Sequence, residues 1–419
     1  MQLRRTDASI FFWAVFAGLA LALSGANNSA CAETPVLNEA MKLTASDAAT
    51  LDYFGYSVDI SGDRAIVGAV FDDDSADASG SAYIFDVTTG IELFKLNASD
   101  AEFNNNFGDS VTLDANRAIV GSPRDDDNGS VSGSIYFFDA STGVELFKRT
   151  ASDGAEGDFF GGAVALDGPT AIIAAQTDDN DNGGNAGAAY LVNASDGVET
   201  FKLTASDGSD IDFFGRSVGI SGNRAIAGSV FDDDDGNSSG SVYIFDTNSG
   251  ADLHKLTASD AAEGDQFGNA VAIDGGLAIV GAVTDANESG NDAGAAYVFD
   301  VTTGAELFKL TASDGGVDQY FGGNVAIEGH LAVISSGQGP DGAAYVFDLT
   351  TGSEIFRLQP SDPTGNGDIF GASLAIDGQK VIVGASRHDG AGEDAGAAYV
   401  FLVPEPSSLG LACLGVVGA

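Results

Sequence analysis

The body of this 419-residue chain has no cysteine, because its only two, Cys31 and Cys413, lie in the end segments. Disulfide stapling of the fold is thereby excluded. The one tryptophan, Trp13, is also terminal. Histidine is nearly absent: His254, His330 and His388 fall at unrelated places, and no serine or cysteine nucleophile is set beside one. A histidine-based metal hydrolase would need them clustered. Basic residues are few, 17 against 62 acidic, for a formal net charge of −45. Such a field repels phosphate backbones and argues against a nucleic-acid partner. It favours cations and solubility, with adaptation to salt as the plainer explanation. Helical periodicity is missing from the body. At 44% hydrophobic residues the chain is nevertheless not a disordered acidic polymer.

The only long apolar run, Ile10 to Leu23, is shorter than the ~20 residues a membrane span needs. With Arg4 and Arg5 before it and Ala30-Cys31-Ala32 after it, residues 1–32 read as a signal peptide. At the other end, Pro404-Glu405-Pro406 followed by an apolar tail resembles the PEP-CTERM sorting signal of exported bacterial proteins. Residues 404–419 are short for that signal, and no Arg or Lys follows the tail. Export to the cell surface or medium is expected, with membrane contact only through the end signals.

What is present is repetition. A Phe-Gly pair recurs at Phe54, Phe107, Phe160, Phe214, Phe267, Phe321 and Phe370, at intervals of 49 to 54 residues. Each unit reads as four strands, in the first copy Tyr56–Ile60, Arg64–Val70, Ser81–Phe85 and Ile91–Leu96. Glycine, 57 residues in all, and turns such as Ser61-Gly62-Asp63 punctuate them. Four-stranded units at this period are β-propeller blades. Outer-strand copies resembling Lys-Leu-Thr-Ala-Ser-Asp begin at Lys42, Lys95, Lys148, Lys202, Lys255, Lys309 and Arg357. The first of these precedes the first Phe-Gly, and the last unit lacks a fourth strand. Glu39 to Ala45 should therefore complete the last blade and leave no open sheet edge. The expected fold is all-β: residues 33–403 form a seven-bladed β-propeller of four-stranded antiparallel blades, closed by the N-terminal strand, and a monomer is expected.

Phe54-Gly55, Ile66-Val67-Gly68-Ala69 and Ser81-Ala82-Tyr83-Ile84-Phe85, with their counterparts, resemble the FG-GAP repeats of integrin α-chains and bacterial surface proteins. The proline of that family's Gly-Ala-Pro triplet survives once, in Gly121-Ser122-Pro123. The resemblance implies a propeller of the cell exterior and points to adhesion. Family calcium loops join the first and second strands of a blade, but here that link is Ser61-Gly62-Asp63 or Asp167-Gly168, too short for one. No family metal residue carries over.

More than half of the acidic residues fall on one rim, in the loops after the second strand and in the blade-to-blade connections. Arg124 and Arg387 are the only basic residues in those segments. Three second loops have the spacing of oxygen ligands for a hard cation: Asp125 and Asp127; Asp178, Asn180 and Asn182; Asp232 and Asp234. Ca²⁺ takes six to eight oxygens from such loops. The bidentate Glu of an EF-hand is missing, its place after Asp178 being Ala189. Solvated acidic loops are the alternative. Asp153 with Asp158 and its repeats read first as turn formers. The recurrent tyrosines, Tyr83 to Tyr399, read as core. The expected role is a non-enzymatic adhesion or matrix-binding module, supported by Ca²⁺, that takes a polysaccharide or surface protein on its acidic rim. The alternatives are a spacer and a glycan-acting enzyme using rim carboxylates.

Overall fold

The computed structural model describes residues 34–337, 342–363 and 367–404. The proposed signal segment, and all of the proposed sorting tail except Pro404, lie outside them. Seven antiparallel sheets stand around one axis. In the first blade the inner strand is Phe54–Ser61, followed by Arg64–Ala69, Ser81–Asp86 and the outer strand Ile91–Leu96. The inner strand starts two residues before the alternating pattern begins. Gly55, at φ 91°, shifts the register between Phe54 and Ser57 and lets the backbone join the sheet early. In the second and third blades the inner strands are shorter, Ser110–Asp114 and Val164–Asp167. The second and third strands are buried on both faces, which explains their nearly continuous apolar runs.

Closure follows the expectation. Met41–Leu43 pairs antiparallel with Ala397–Leu402, Lys42 standing opposite Tyr399. The strand itself is shorter than residues 39–45, though the Ala40 N–H also bonds the Val400 carbonyl and Glu39 accepts from the backbone N–H and hydroxyl of Ser361. One strand was not foreseen. Val36–Asn38 adds in parallel to Ser353–Gln359, so the sixth blade has five strands.

The blades are joined by the residues that repeat. Phe107 is fully buried in a cluster shared by the first and second blades, edge-on to Tyr136 at 5.3 Å and to Phe138 at 5.9 Å. Such aromatic pairs contribute about 0.5–1.5 kcal/mol each beyond area burial. Gly68 has no room for a side chain: a Cβ there would stand 2.1 Å from the Gly108 carbonyl of the next blade. Outside, Glu92 accepts from the Ser46 N–H (2.8 Å) and hydroxyl (3.1 Å), and Glu145 repeats this with Ser99. On the rim of short turns, the side chain ending each inner strand accepts a backbone N–H from the following blade. Ser61 takes it from Ala115, Asp114 from Gly168, and so on round to Asp377, which takes it from Gly62. The last link joins the seventh blade to the first.

Candidate functional site

The acidic rim carries a built-in cation in every blade. In the first blade the Lys95 ammonium lies 2.8 Å from Asp47, 3.0 Å from Asp72 and 2.6 Å from Asp74, and 5.2 Å over the Tyr83 ring. The Tyr83 hydroxyl donates to Asp72 (2.8 Å) and Asp47 (3.0 Å). Asp47 comes from the connection preceding the blade, Asp72 and Asp74 from its second loop, and Lys95 from its outer strand. The cluster therefore ties three chain segments together. Burial alone would lower the lysine's proton affinity, but its three carboxylate partners outweigh that and raise it. Burial first, then the two carboxylates, push the tyrosine up. Burial would also raise Asp47, and the bonds from Lys95 and Tyr83 overcome it and hold it below the ordinary carboxylate range.

The second and fourth blades copy this. Lys148 meets Asp100, Asp125 and Asp127, and Lys255 meets Asp207, Asp232 and Asp234, all within 2.6–3.0 Å. In the third, Lys202 holds Asp153 and Asp178 at 2.7 and 2.9 Å. In the sixth, Arg357 meets Asp314 at 2.8 Å. The seventh departs: buried His388 stands where the first five have the buried aspartate. Lys42 donates to its Nε2 at 2.6 Å and to Asp362 at 2.7 Å.

The residues with cation-ligand spacing are thus accounted for. Asp125, Asp127, Asp232, Asp234 and Asp178 face a lysine. In the cluster of Asp47, Asp72 and Asp74, one oxygen of each lies within 4.8 Å of the others, close enough for an ion. The ammonium stands among them, and a divalent ion would have to displace it. Asn180 and Asn182 do not converge with Asp178 on a common point. Asn180 donates to Asp178 and to the Gly187 carbonyl, while Asn182 donates to the Ala205 carbonyl. The second aspartate of each loop braces its own turn: Asp126 accepts from Val131 N–H and Asp233 from Ser238 N–H. Asp158 likewise accepts from Ala155 N–H three residues back, which is the turn role.

A second site lies on the axis, open on the same face. It is a cavity of about 850 Å³ to which all seven inner strands contribute, from Val58 in the first blade to Leu374 in the last. That is within the size range of ligand pockets. One repeat position lines it in all seven copies and two others line it in part, and at all three the copies disagree. After Phe-Gly stand Tyr56, Asp109, Gly162, Arg216, Asn269, Gly323 and Ala372. Before it stand Tyr53, Asn106, Phe159, Phe213, Gln266, Tyr320 and Ile369, every one with φ between 50° and 57°. Bulky residues rarely adopt that conformation, and such strain collects at functional sites. Before the loop aspartate, or before the histidine that replaces it, stand Phe71, Arg124, Thr177, Phe231, Thr284 and Arg387.

Asn269 and Asn324 brace the wall by donating to carbonyls of the next blade, at Gly323 (3.1 Å) and Gly371 (3.0 Å). Tyr56, Asp109 and Arg216 supply its chemistry. Burial pushes Asp109 up to about 6, against the pull of Arg216 and Arg124. The Asp109 charge, then burial, raises Tyr56. Asp109 is the only carboxylate among the described lining residues, whereas the usual glycoside hydrolysis uses a pair. None of these residues except Arg124 and Arg387 was singled out from the sequence, because shared residues, not differing ones, were used to define the repeat.

Comparison with known proteins agrees with this geometry. Among curated proteins none matches the chain. The FG-GAP repeat matches seven segments, residues 37–85, 92–138, 145–192, 198–245, 251–299, 305–347 and 353–401. These matches and the seven-bladed ring together place the chain in the FG-GAP repeat family of β-propellers.

Proposed function

We propose that this propeller is a non-catalytic binding module of the cell exterior, holding a polysaccharide or protein at the axial cavity of its acidic face. The observation that carries this is the division of labour among repeat positions. Residues common to the blades do most of the joining of blade to blade, whereas varied ones gather at one mouth. A mere spacer needs no such asymmetry. The export and surface placement rest on the two end segments. The test is binding to a panel of extracellular polysaccharides and surface proteins. A Tyr56→Ala, Arg216→Ala double variant is expected to lose at least tenfold in affinity, about 1.4 kcal/mol. Arg64→Ala, on the opposite rim, is expected to bind like the parent. Equal behaviour of the two variants would remove the cavity from the reading.

On this reading lysines, not calcium, hold the acidic loops. Thermal melting in millimolar Ca²⁺ and in excess chelator is expected to give the same Tm, since an ion that binds the folded state raises it in proportion to occupancy. A drop of several degrees in chelator would return calcium to the loops.

A further inference from the structure

Among the described residues of this strongly acidic protein, every lysine and two of the arginines are paired with carboxylates. Six lysines and Arg357 sit in the rim clusters, with carboxylates beside them. Arg224 pairs with Asp246 and Lys380 with Asp63 on the opposite rim. Arg149 lies on an outer strand, 4.6 Å over Phe147. Arg64 reaches Asn116 at 3.2 Å, and Arg117 shares that rim. Three exposed arginines remain, Arg124, Arg216 and Arg387, which make no ion pair among the described residues. All three serve the axial mouth. Arg216 and Arg387 line it, and Arg124 is near enough to act on Asp109 and Tyr56.

Two of them stand beside aromatic pairs. Arg387 lies 5.4 Å over the Tyr53 ring, which meets Phe71 edge-on at 5.1 Å. Arg216 borders a recess of about 250 Å³ walled by Phe213 and Phe231, whose rings are 5.3 Å apart. The first set belongs to the seventh and first blades and the second to the fourth, so they flank the axis from different sides. Guanidinium groups fit carboxylates two-pronged, and flat apolar faces suit aromatic rings. The surrounding acidic rim disfavours densely charged polyanions and tolerates a chain whose charges are spaced apart.

We infer that the axial cavity takes an acidic polysaccharide, its carboxylates held by Arg216 and Arg387 and its sugar rings laid against the neighbouring aromatic pairs. This deepens the binding reading and rests on it. An acidic peptide shares the carboxylates but lacks stacked rings bearing them at regular spacing.

The experiment compares three probes on the full chain: polygalacturonate, the same polymer fully methyl-esterified, and polyglutamate. Polygalacturonate is expected to bind, at least tenfold more tightly than either other probe, and less tightly as salt rises. Arg216→Ala and Arg387→Ala, both at exposed positions, should each abolish the preference while keeping the parental Tm. Equal binding of the ester, or polyglutamate binding as well as polygalacturonate, overturns the inference but leaves a binding cavity standing. Failure of all three probes also overturns it, and the broad panel with the Tyr56→Ala, Arg216→Ala variant then decides separately whether the cavity binds anything.

Discussion

A chain beginning at Ser46 is expected to lose its single cooperative melting step. It lacks Met41–Leu43, the fourth strand of the seventh blade, and with it Leu43, which is only 1% exposed between blades. It also lacks Lys42, the partner of Asp362 and His388, and the Val36–Asn38 strap on the sixth blade. The strand Ala397–Leu402 becomes an open edge, ready to pair with other chains. The ring is then closed only by what the seventh blade's remaining strands and loops offer the first, such as the Asp377–Gly62 and Lys380–Asp63 links and the Phe54 N–H bond to the Ala395 carbonyl. Circular dichroism melting and light scattering should show a Tm lower by more than about 10 °C and association of chains. A synthetic peptide covering residues 34–46, added in trans, should restore both. A truncated chain that melts like the parent would refute the closure.

The second large effect is expected from Lys148→Met. The substitution keeps volume and removes the ammonium from among Asp100, Asp125 and Asp127, of which Asp125 is buried. Removing one partner of a buried ionic cluster costs about 3–5 kcal/mol, and for a chain of this size the Tm should fall by roughly 4–6 °C. The carboxylates left behind offer a hard cation what the lysine vacated. Millimolar Ca²⁺ should then recover part of the loss, which chelator reverses, whereas the parent is expected not to respond. Lys202→Met is the control: its loop has Asn180 where the second has Asp127, and Asn180 is turned toward Gly187. Its recovery should be smaller. No recovery in Lys148→Met would mean that the loop cannot present its oxygens to an ion.

The ring was legible because it is written seven times. Period, turn residues and a spare outer strand at the front suffice to count blades and close them. The Val36–Asn38 strap was not, since three residues pairing in parallel leave no pattern. The acidic loops were read locally, and the spacing of Asp125 and Asp127 does resemble a metal loop. Their cation is Lys148, some twenty residues on, in a strand brought back by the sheet. Only the fold makes those neighbours. The axial cavity was hidden for a different reason. Its residues, such as Tyr56 and Arg216, are the letters that change from copy to copy, and a repeat is found by what stays the same. Aligning the seven copies and marking the columns that vary would have found it.

Among the described residues the bonds between blades join each unit to the next, largely through a recurring set of atoms. Every joint therefore accepts any neighbour of the same make. Duplicating, losing or exchanging a unit leaves the hinges compatible, and only the total must come out right for the circle to shut. Recognition can drift one side chain at a time around the mouth without renegotiating the framework that carries it.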